Sequence, residues 1–576
     1  NVILKRAIPA LEDGLKPVQR RILHSMKKID DGRFHKVANI IGQTMQYHPH
    51  GDAAIESALV HLGQKNLLIT TQGNWGDPRT GDSAAAARYI EAKLSKFALE
   101  VAFNYAITKN QLSYDGRNHE PTLLPVKFPL ILAQGAEGIA VGLATKIMPH
   151  NFTELIDASI EILHGNEIEI YPDFYSGGAA DFSNYNQGQK GGKIRIRSKI
   201  ETVNNKTLVI TQIPFFTTTT SVIDSIVKAN DNGKIKIKKI IDNTAKDIEI
   251  MIELPSGVSP DQTIGALYAF TDCEVSISPN CCLIVEDSPK FLSVNEVLKL
   301  STQRTVELLK QELQIILGDL QRRRHLLILE GLFISHKIYL CIEKCESWEA
   351  ILITIDNKLI PFRKELTYPI SNDDIIKLTE IKIKRISKFN ANKTAQEISS
   401  IEKQIAQVKY NLEHLNEFAI NYFSDLKKKY GGDHKRKTII KEFDTIQATQ
   451  VAAASHKLYV NRKDGFIGYA LKKNELVGEC SNIDDIIVFF KNGSFKVIRI
   501  SNKAFVGKNI IHVAVWKKND KRMIYNMIYH DSETCISRCK RFPVKAITRD
   551  KEYDLTGGSK KAKVLYFTAN PHGETE

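Results

Sequence analysis

The sequence predicts a multidomain protein of the α+β class. Three observations carry that prediction. Helical periodicity dominates residues 1–132, short β-branched runs then alternate with glycine turns and helices, and two long helices with three-four apolar spacing precede a strand-rich end. A chain of 576 residues, 43% hydrophobic and 25% charged, has material for several cores and an ordinary globular composition. Its formal charge of +14 points to a polyanionic partner without specifying a function. No apolar stretch approaches the roughly 20 residues of a membrane span, and no signal peptide is recognised, so a cytoplasmic location is expected. The opening "NVILKRAIPALEDGLKP" has no methionine and suggests a fragment that begins inside an element. The eight cysteines are scattered, and Cys535 and Cys539 lack a second Cys or His pair at zinc-finger spacing. Free thiols and no sulfur-based metal site are expected.

In "LKPVQRRILHSMKKI", Val18, Ile22, Met26 and Ile29 share one helical face. Lys16, Arg20 and Lys27 fall opposite, so one side packs and the other presents positive charge. A second helix through "KVANIIGQTM" is expected to end at "QYHPHGD", where Pro49 breaks it and Asp52 caps "AAIESALVHL". Basic helices joined by short turns read as a helix-turn-helix or winged-helix unit. Residues 133–291 carry "KIRIRSKI", "TLVITQIP" and "DIEIMIEL" between glycine-rich turns, an α+β texture. Residues 292–435 begin with a long helix spacing Leu309, Leu313, Ile316, Leu320 and Leu327 by three, four or seven. Its partner carries Ile398, Ile401, Ile405, Val408, Leu412, Leu415 and Ala419, a coiled-coil seam. The insert between them, about residues 341–379, predicts a globular knob on the end of an arm. After the polar, basic linker "KKYGGDHKRKT", residues 436–576 turn strand-rich. "KLYVNRKDGFIGYAL", "DIIVFFKNGSFKVIRI" and "KAKVLYFTANPHG" each predict a hairpin, and together an incomplete propeller-like domain.

The stretch "GDSAAAARYIEAKLS" sets Arg88 and Tyr89 side by side behind Ala84–Ala87. A tyrosine in an amphipathic helix is ordinarily a core or surface residue. The alternative is a phenolic nucleophile whose target the adjacent guanidinium holds.

Six motifs, "RAIPALEDGLKPVQRRIL", "YHPHGDAA", "TQGNWG", "DSAAAARYIEAKLS", "YDGRNHEP" and "GIAVGLATKIMPHN", occur in an order that resembles the A subunit of bacterial type IIA DNA topoisomerases. The likeness covers essentially the whole chain. It is nearest to the topoisomerase IV A subunit of the Bacteroidetes type, with the gyrase A subunit as a relative, and the family extends upstream of Asn1 and past Glu576. The resemblance implies a winged-helix DNA-gate domain at 1–132 and an α/β tower at 133–291. It implies a coiled-coil arm at 292–435 whose knob makes an exit-side dimer contact, then a linker and a partial β-propeller-like domain at 436–576.

The activity it implies is that of an ATP-dependent type II topoisomerase. A transient double-strand break forms through a 5′-phosphotyrosyl bond and lets a second duplex pass. Tyr89 is then the nucleophile. With a free pKa of ~10, only ~0.1% of a tyrosine is phenolate at neutral pH, so it needs help. Arg88 offers a planar fork of donors where charge develops on the phosphoryl oxygens. Motif position adds Arg6, Arg21 and His48 to the catalytic group, and Lys16, Arg20, His48 and His50 to the DNA-binding one. Either histidine can contact the scissile region or take up the phenolic proton. Ile139 matches the apolar wedge that bends the gate DNA.

The sequence contains no G-x-x-x-x-G-K-[ST] loop, and Asp30–Asp31 and Asp373–Asp374 lack further acidic partners, so no metal site is expected on this chain. The resemblance places ATP and most of the Mg²⁺ binding on a B subunit. Two tyrosines for two strands imply a homodimer of this chain inside an A2B2 heterotetramer on the nucleoid. Gyrase A subunits wrap DNA with a heptapeptide Q-R-R-G-G-K-G; "KAFVGKNIIHVAV" lacks it, which favours decatenation and relaxation over supercoiling. Ala53 and Ser57 replace a serine and an acidic residue that hold fluoroquinolones through a Mg²⁺–water bridge in most of the family. Glu137 and Gln212 also depart from its pattern, without a reason legible in the sequence. A non-enzymatic DNA-binding scaffold and a gyrase A subunit remain as alternatives.

Overall fold

The computed structural model describes residues 6–366, 368–382, 388–432, 434–444, 456–481, 484–517, 520, 522–545, 547–559 and 561–571. The first basic segment forms α1 (Pro17–Lys28), then β1 (His35–Lys36), α2 (Val37–Thr44) and α3 (Asp52–Gln64). Pro17 sits at the first helical position, where a missing N–H costs nothing. Ile22 and Met26 sink into a core shared with Ile40, Ile55 and Leu59, and Val18 and Ile29 pack at its edge.

This region is not purely helical. β2 (Ile69–Gln72) and β3 (Glu91–Leu94) join β1 in an antiparallel sheet of order β1-β3-β2. After α4 (Lys96–Val101) comes a hairpin of β4 (Asn110–Leu112) and β5 (His119–Pro121). Strands this short, rich in Lys, Thr, Gln and Glu, leave no alternation to read. Two helix ends also differ from expectation. α2 stops at Thr44, before Pro49, and Gly51 is the N-cap of α3 while Asp52 is its first residue, bonding the Ala53 N–H at 2.8 Å.

α5 (Leu130–Gln134) leads into a hairpin of β6 (Ala136–Ala140) and β7 (Leu143–Ile147), followed by α6 (Phe152–His164). Next come β8 (Ala179–Asn184), β9 (Lys193–Arg197), β10 (Lys199–Asn204), β11 (Thr207–Gln212), α7 (Thr219–Asp231), β12 (Lys239–Asp242), β13 (Ile250–Glu253), α8 (Pro260–Phe270) and β14 (Glu274–Ile277). The sheet β10-β11-β13-β12 buries Leu208, Ile210, Ile250 and Ile252 against Val222, Ile226 and Leu267 of α7 and α8. A short hairpin, β15 (Cys282–Val285) and β16 (Ser288–Phe291), precedes the arm.

The arm is α9 (Val294–Ser335), 42 residues long and started by a reciprocal Ser293–Glu296 cap. Beyond it, α10 (Trp348–Leu359) and α11 (Asn372–Thr379) close a small core of Phe333, Ile355, Leu359, Ile375 and Leu378. α12 (Lys388–Glu413) returns along α9 with Ile401 and Val408 buried. The seam does not run on unbroken. His414 (φ −119°, ψ 50°) ends it, and Leu415 and Ala419 belong to α13 (Leu415–Tyr430), which packs on α6 and sends Phe423 and Leu426 into the first core. Ile316, expected on the apolar stripe, is 46% exposed.

The basic linker is docked. Arg436 forks onto Glu154 at 2.7 and 2.5 Å, and Asp173 accepts the N–H groups of Lys437 and Thr438 at 3.0 and 2.9 Å. β17 (Ile439–Ile440) then lies parallel to β8 as the edge of the sheet β14-β9-β8-β17. A run of lysines and arginines reads as solvated because its acidic partners lie far away in the chain.

The remaining strands are β18 (His456–Asn461), β19 (Phe466–Gly468), β20 (Glu475–Cys480), β21 (Asp485–Phe490), β22 (Ser494–Arg499), β23 (Ala504–Phe505), β24 (Ile510–Trp516), β25 (Ile524–Asp531), β26 (Ile536–Phe542), β27 (Glu552–Asp554) and β28 (Ala562–Asn570). They form antiparallel sheets of order β20-β18-β19-β23, β24-β21-β22-β27 and β26-β25-β28, and no closed ring is seen among the described residues. The first two expected hairpins form around Asp464–Gly465 and Asn492–Gly493. Of the third, "AKVLYFTAN" is one strand, β28, paired back to β25, and His572 and Gly573 at its expected turn lie outside the described residues. Residues 445–455 and 572–576 of this segment lie outside the described residues. Among the described residues no single helix is long and apolar enough to cross a membrane.

Candidate active site

Tyr89 closes the long loop between β2 and β3. The alanine run is not helical, and Ala87–Tyr89 form a turn in which the Tyr89 N–H bonds the Ala86 carbonyl at 2.8 Å. The N–H groups of Val37 and Ala38 reach the carbonyls of Ile90 and Ala87 at 3.0 and 3.1 Å. First-turn N–H groups have no partner within their own helix, so the start of α2 is free to clamp this turn. Ile90 is fully buried and Tyr89 is 62% exposed, so the turn is anchored while the phenol faces solvent. The Arg88 guanidinium stacks 4.6 Å above the Tyr89 ring centroid. A cation–π contact uses none of the guanidinium's N–H donors, which stay available to an anion. Lys36 adds a second cation, paired with Glu91 at 2.8 Å.

A second cluster joins α1, β5 and the segment before α3. Arg21 forks onto Glu120 at 2.6 and 2.9 Å, and its Nη1 donates to His48 Nδ1 at 3.1 Å. A guanidinium only donates, so His48 Nδ1 accepts and the ring proton sits on Nε2. Burial, with the charges of Arg21, His50 and Arg6 nearby, pulls the His48 pKa down to about 4. His48 is therefore neutral at pH 7 and presents a donor rather than a vacant base. His50, exposed, packs edge-on against it at 5.0 Å.

Arg20 does not belong to the presented face. It turns inward and forks onto Asp13 at 2.5 and 3.0 Å, because a buried carboxylate requires a cation. Lys16 instead supports the β6–β7 hairpin, its Nζ donating to the Glu137 carbonyl at 2.7 Å. Gly138 lies so close to Ala7 that a Cβ there would stand 2.1 Å from the Ala7 carbonyl oxygen. Beyond this pinned base, Ile139 and Val141 are each 82% exposed. Glu137 opposes Lys146 across the hairpin, and Gln212 accepts the Gly178 N–H at 2.7 Å, so each of the two departures has a partner in the fold. On α3, Ala53 and Ser57 are both exposed and one turn apart.

The structure thus brings Arg88 to Tyr89, and Arg6, Arg21 and His50 to His48. Among the described residues no hydrogen bond, ion pair or ring contact joins Tyr89 to Arg21 or His48. Asp13, Lys36 and Glu120 went unassigned in the sequence; Asp13 and Glu120 are acidic residues within the motifs and Lys36 a basic residue outside them, and only folding reveals their partners.

A family profile for the A subunit of DNA gyrase/topoisomerase IV matches residues 6–427, which include all three clusters. The chain belongs to the DNA gyrase/topoisomerase IV A-subunit family. A profile for the "Topoisomerase C-terminal domain, Bacteroidota" matches residues 457–576. The DNA topoisomerase 4 A subunit of Borreliella burgdorferi is 38% identical over 99% of this chain and 90% of its own length. Similarity extends to the DNA gyrase A subunit of Metamycoplasma arthritidis, 30% identical over 96% of this chain and 68% of that protein. The DNA gyrase A subunit of Clostridium acetobutylicum is 28% identical over 100% and 75%. In this member of the gyrase/topoisomerase IV family, the Tyr89 turn, the Arg21–His48 cluster and the β6–β7 hairpin all fall in the first of the two matched regions.

Proposed function

We propose that this chain is the DNA-cleaving and rejoining component of a topoisomerase IV-like type II topoisomerase, acting in decatenation and relaxation. The observation that carries the reading is an exposed Tyr89 phenol beside a stacked Arg88 guanidinium, on a turn anchored by buried Ile90. The Tyr89 oxygen attacks a backbone phosphorus, the P–O3′ bond breaks, and the 3′-hydroxyl leaves as the 5′-phosphotyrosyl ester forms. Arg88 donates to the phosphoryl oxygens as charge builds there. Lys16, His48 through Nε2–H, and His50 hold neighbouring phosphates, and a DNA strand is what the separate clusters share. Ile139 and Val141 wedge between base pairs. Rejoining reverses the attack, and the tyrosyl ester retains the energy it needs.

The nearby carboxylates do not suit a metal. Asp13 is taken by Arg20, Glu120 by Arg21 and Glu91 by Lys36. We assign Mg²⁺ and ATP to a B subunit in an A2B2 assembly, as membership of the family implies. We read residues 1–132 as the DNA gate, 133–291 as the tower, 292–435 as the arm and 436–576 as docked linker and propeller blades. Leu340, Trp348, Ile353 and Ile360, about half exposed or more, support the knob as a homodimer contact.

With plasmid DNA and its B subunit, the chain should yield a covalent complex trapped by SDS. Tyr89→Phe should yield none while DNA affinity stays within about twofold, since phosphate contacts supply most of that affinity. Adducts from the Phe variant would end the assignment. The gyrase relatives keep a second reading in view; negative supercoiling of relaxed plasmid would select it.

A further inference from the structure

The loop that carries Tyr89 makes a second contact, at its far tip. Between Gln72 and Glu91 it is cross-braced from within, Asp77 N–H to the Asp82 carbonyl at 3.2 Å and Ala85 N–H to the Asn74 carbonyl at 2.9 Å. Gly76 adopts φ +72°, and a Cβ there would stand 2.3 Å from the Asp82 carbonyl oxygen, so the two limbs cross without room for a side chain. Its base is tied to α3, where Gln64 Nε2 donates to the Trp75 carbonyl at 2.9 Å.

At the tip stands Arg79. Its guanidinium is clamped by Asp77 through Nε at 3.1 Å and Nη2 at 2.7 Å, and Nη2 also donates to the Lys246 carbonyl at 3.0 Å. Its own carbonyl accepts the Thr219 N–H at 2.9 Å. Thr219 opens α7, so this is one of the first-turn N–H groups that no residue of the helix can satisfy. Arg79 thus bonds both the start of α7 and the turn between β12 and β13. The braces at 77–82 and 74–85 continue this contact along the loop to the turn at Tyr89.

We infer that Arg79 is a positioning residue through which the α7–α8 unit holds the Tyr89 loop in register for cleavage and rejoining. The inference rests on Tyr89 as nucleophile. A shift of about 1 Å at a reacting group can cost about 10²-fold in rate. A positioning contact acts on the barrier common to both directions, which separates it from a contact that binds DNA.

The test uses the full chain with its B subunit, single-turnover cleavage and rejoining rates on a duplex substrate, and DNA affinity. Arg79→Ala should slow both rates about tenfold while the cleaved fraction at equilibrium and the affinity stay within about twofold. Arg79→Lys keeps one donor for the Lys246 carbonyl but not the fork on Asp77, and should recover to within about threefold of wild type. Asp77→Asn, which frees the fork without touching Lys246, should slow both rates by less than Arg79→Ala; it and the lysine variant decide if the alanine variant does not fold. Rates within twofold of wild type in Arg79→Ala, or an affinity loss matching the rate loss, would overturn the inference. A wild-type chain that forms no adduct above the Tyr89→Phe blank would instead refute the nucleophile.

Discussion

At the scale of single residues, the chemistry depends on which side chains are committed and which are open. Arg20 and Arg21 are adjacent, yet one is spent on buried Asp13 and the other on Glu120, with a donor left for His48. Arg88 keeps its donors in reserve by stacking on the ring beside it. Arg88→Lys should therefore lose roughly 10²–10³-fold in cleavage rate despite keeping its charge, because an ammonium cannot present a planar fork. A rate within twofold of wild type would show that Arg88 acts only as a distant charge. Glu120→Gln should weaken the hold on Arg21 and turn its fork away from His48. A double-mutant cycle with His48→Ala in the cleavage assay should give a coupling above about 0.5 kcal/mol, the floor for residues in one hydrogen-bond network.

At the scale of elements, α3 shows how a helix separates two properties. Ala53 and Ser57 share an exposed face one turn apart, while half-buried Glu56 is displaced by ~100°. Neither exposed side chain belongs to the phosphoryl-transfer groups. A drug bridged through metal-bound water needs a hydroxyl at the first of these positions and a carboxylate at the second, and Ala53 has no hydroxyl and Ser57 no carboxylate. Fluoroquinolones should stabilise cleaved complexes poorly with this protein, and Ala53→Ser/Ser57→Glu should gain sensitivity with unchanged drug-free cleavage. Equal drug titrations for the two proteins would sink the idea. The docked strap from His434 to Phe443 is the other element with consequences. Arg436→Ala removes the fork onto Glu154, so proteolysis between Gly432 and Asp444 should accelerate several-fold.

At the scale of the whole molecule, buried neutral histidines tie stability to pH. Burial pushes His150, enclosed between the Leu132 carbonyl and Tyr185, down to about 4, and His48 likewise. Unfolded, each returns to about 6.5. Between those values the unfolded chain binds the extra proton, so stability is complete above about pH 6.5, falls as pH drops toward 4, and changes no further from this source below it. His150→Gln should reduce that slope. Urea midpoints at pH 7 and pH 5 check it, and an equal drop in both proteins would assign the acid lability elsewhere.

Six motifs in order were enough to identify the family, and they single out Tyr89 and Arg88 as the candidate pair, because they are local and side-chain identity is all they require. The long helices, the knob between them and the first two hairpins were legible for the same reason, since period and turn chemistry are short-range. Long-range pairing was not. Asp13 selecting Arg20, Glu154 and Asp173 capturing a linker that reads as solvated, and Lys16 fastening the β6–β7 hairpin each join residues that the chain holds apart. Nor did any spacing show that Tyr89 stands on a turn instead of a helix, because four alanines favour a helix until the N–H groups of α2 and the burial of Ile90 hold them otherwise. Local order along the chain determined what this protein is built to do; the pairing of buried charges and unsatisfied backbone groups, which exists only once the chain is folded, decided where each of those residues stands.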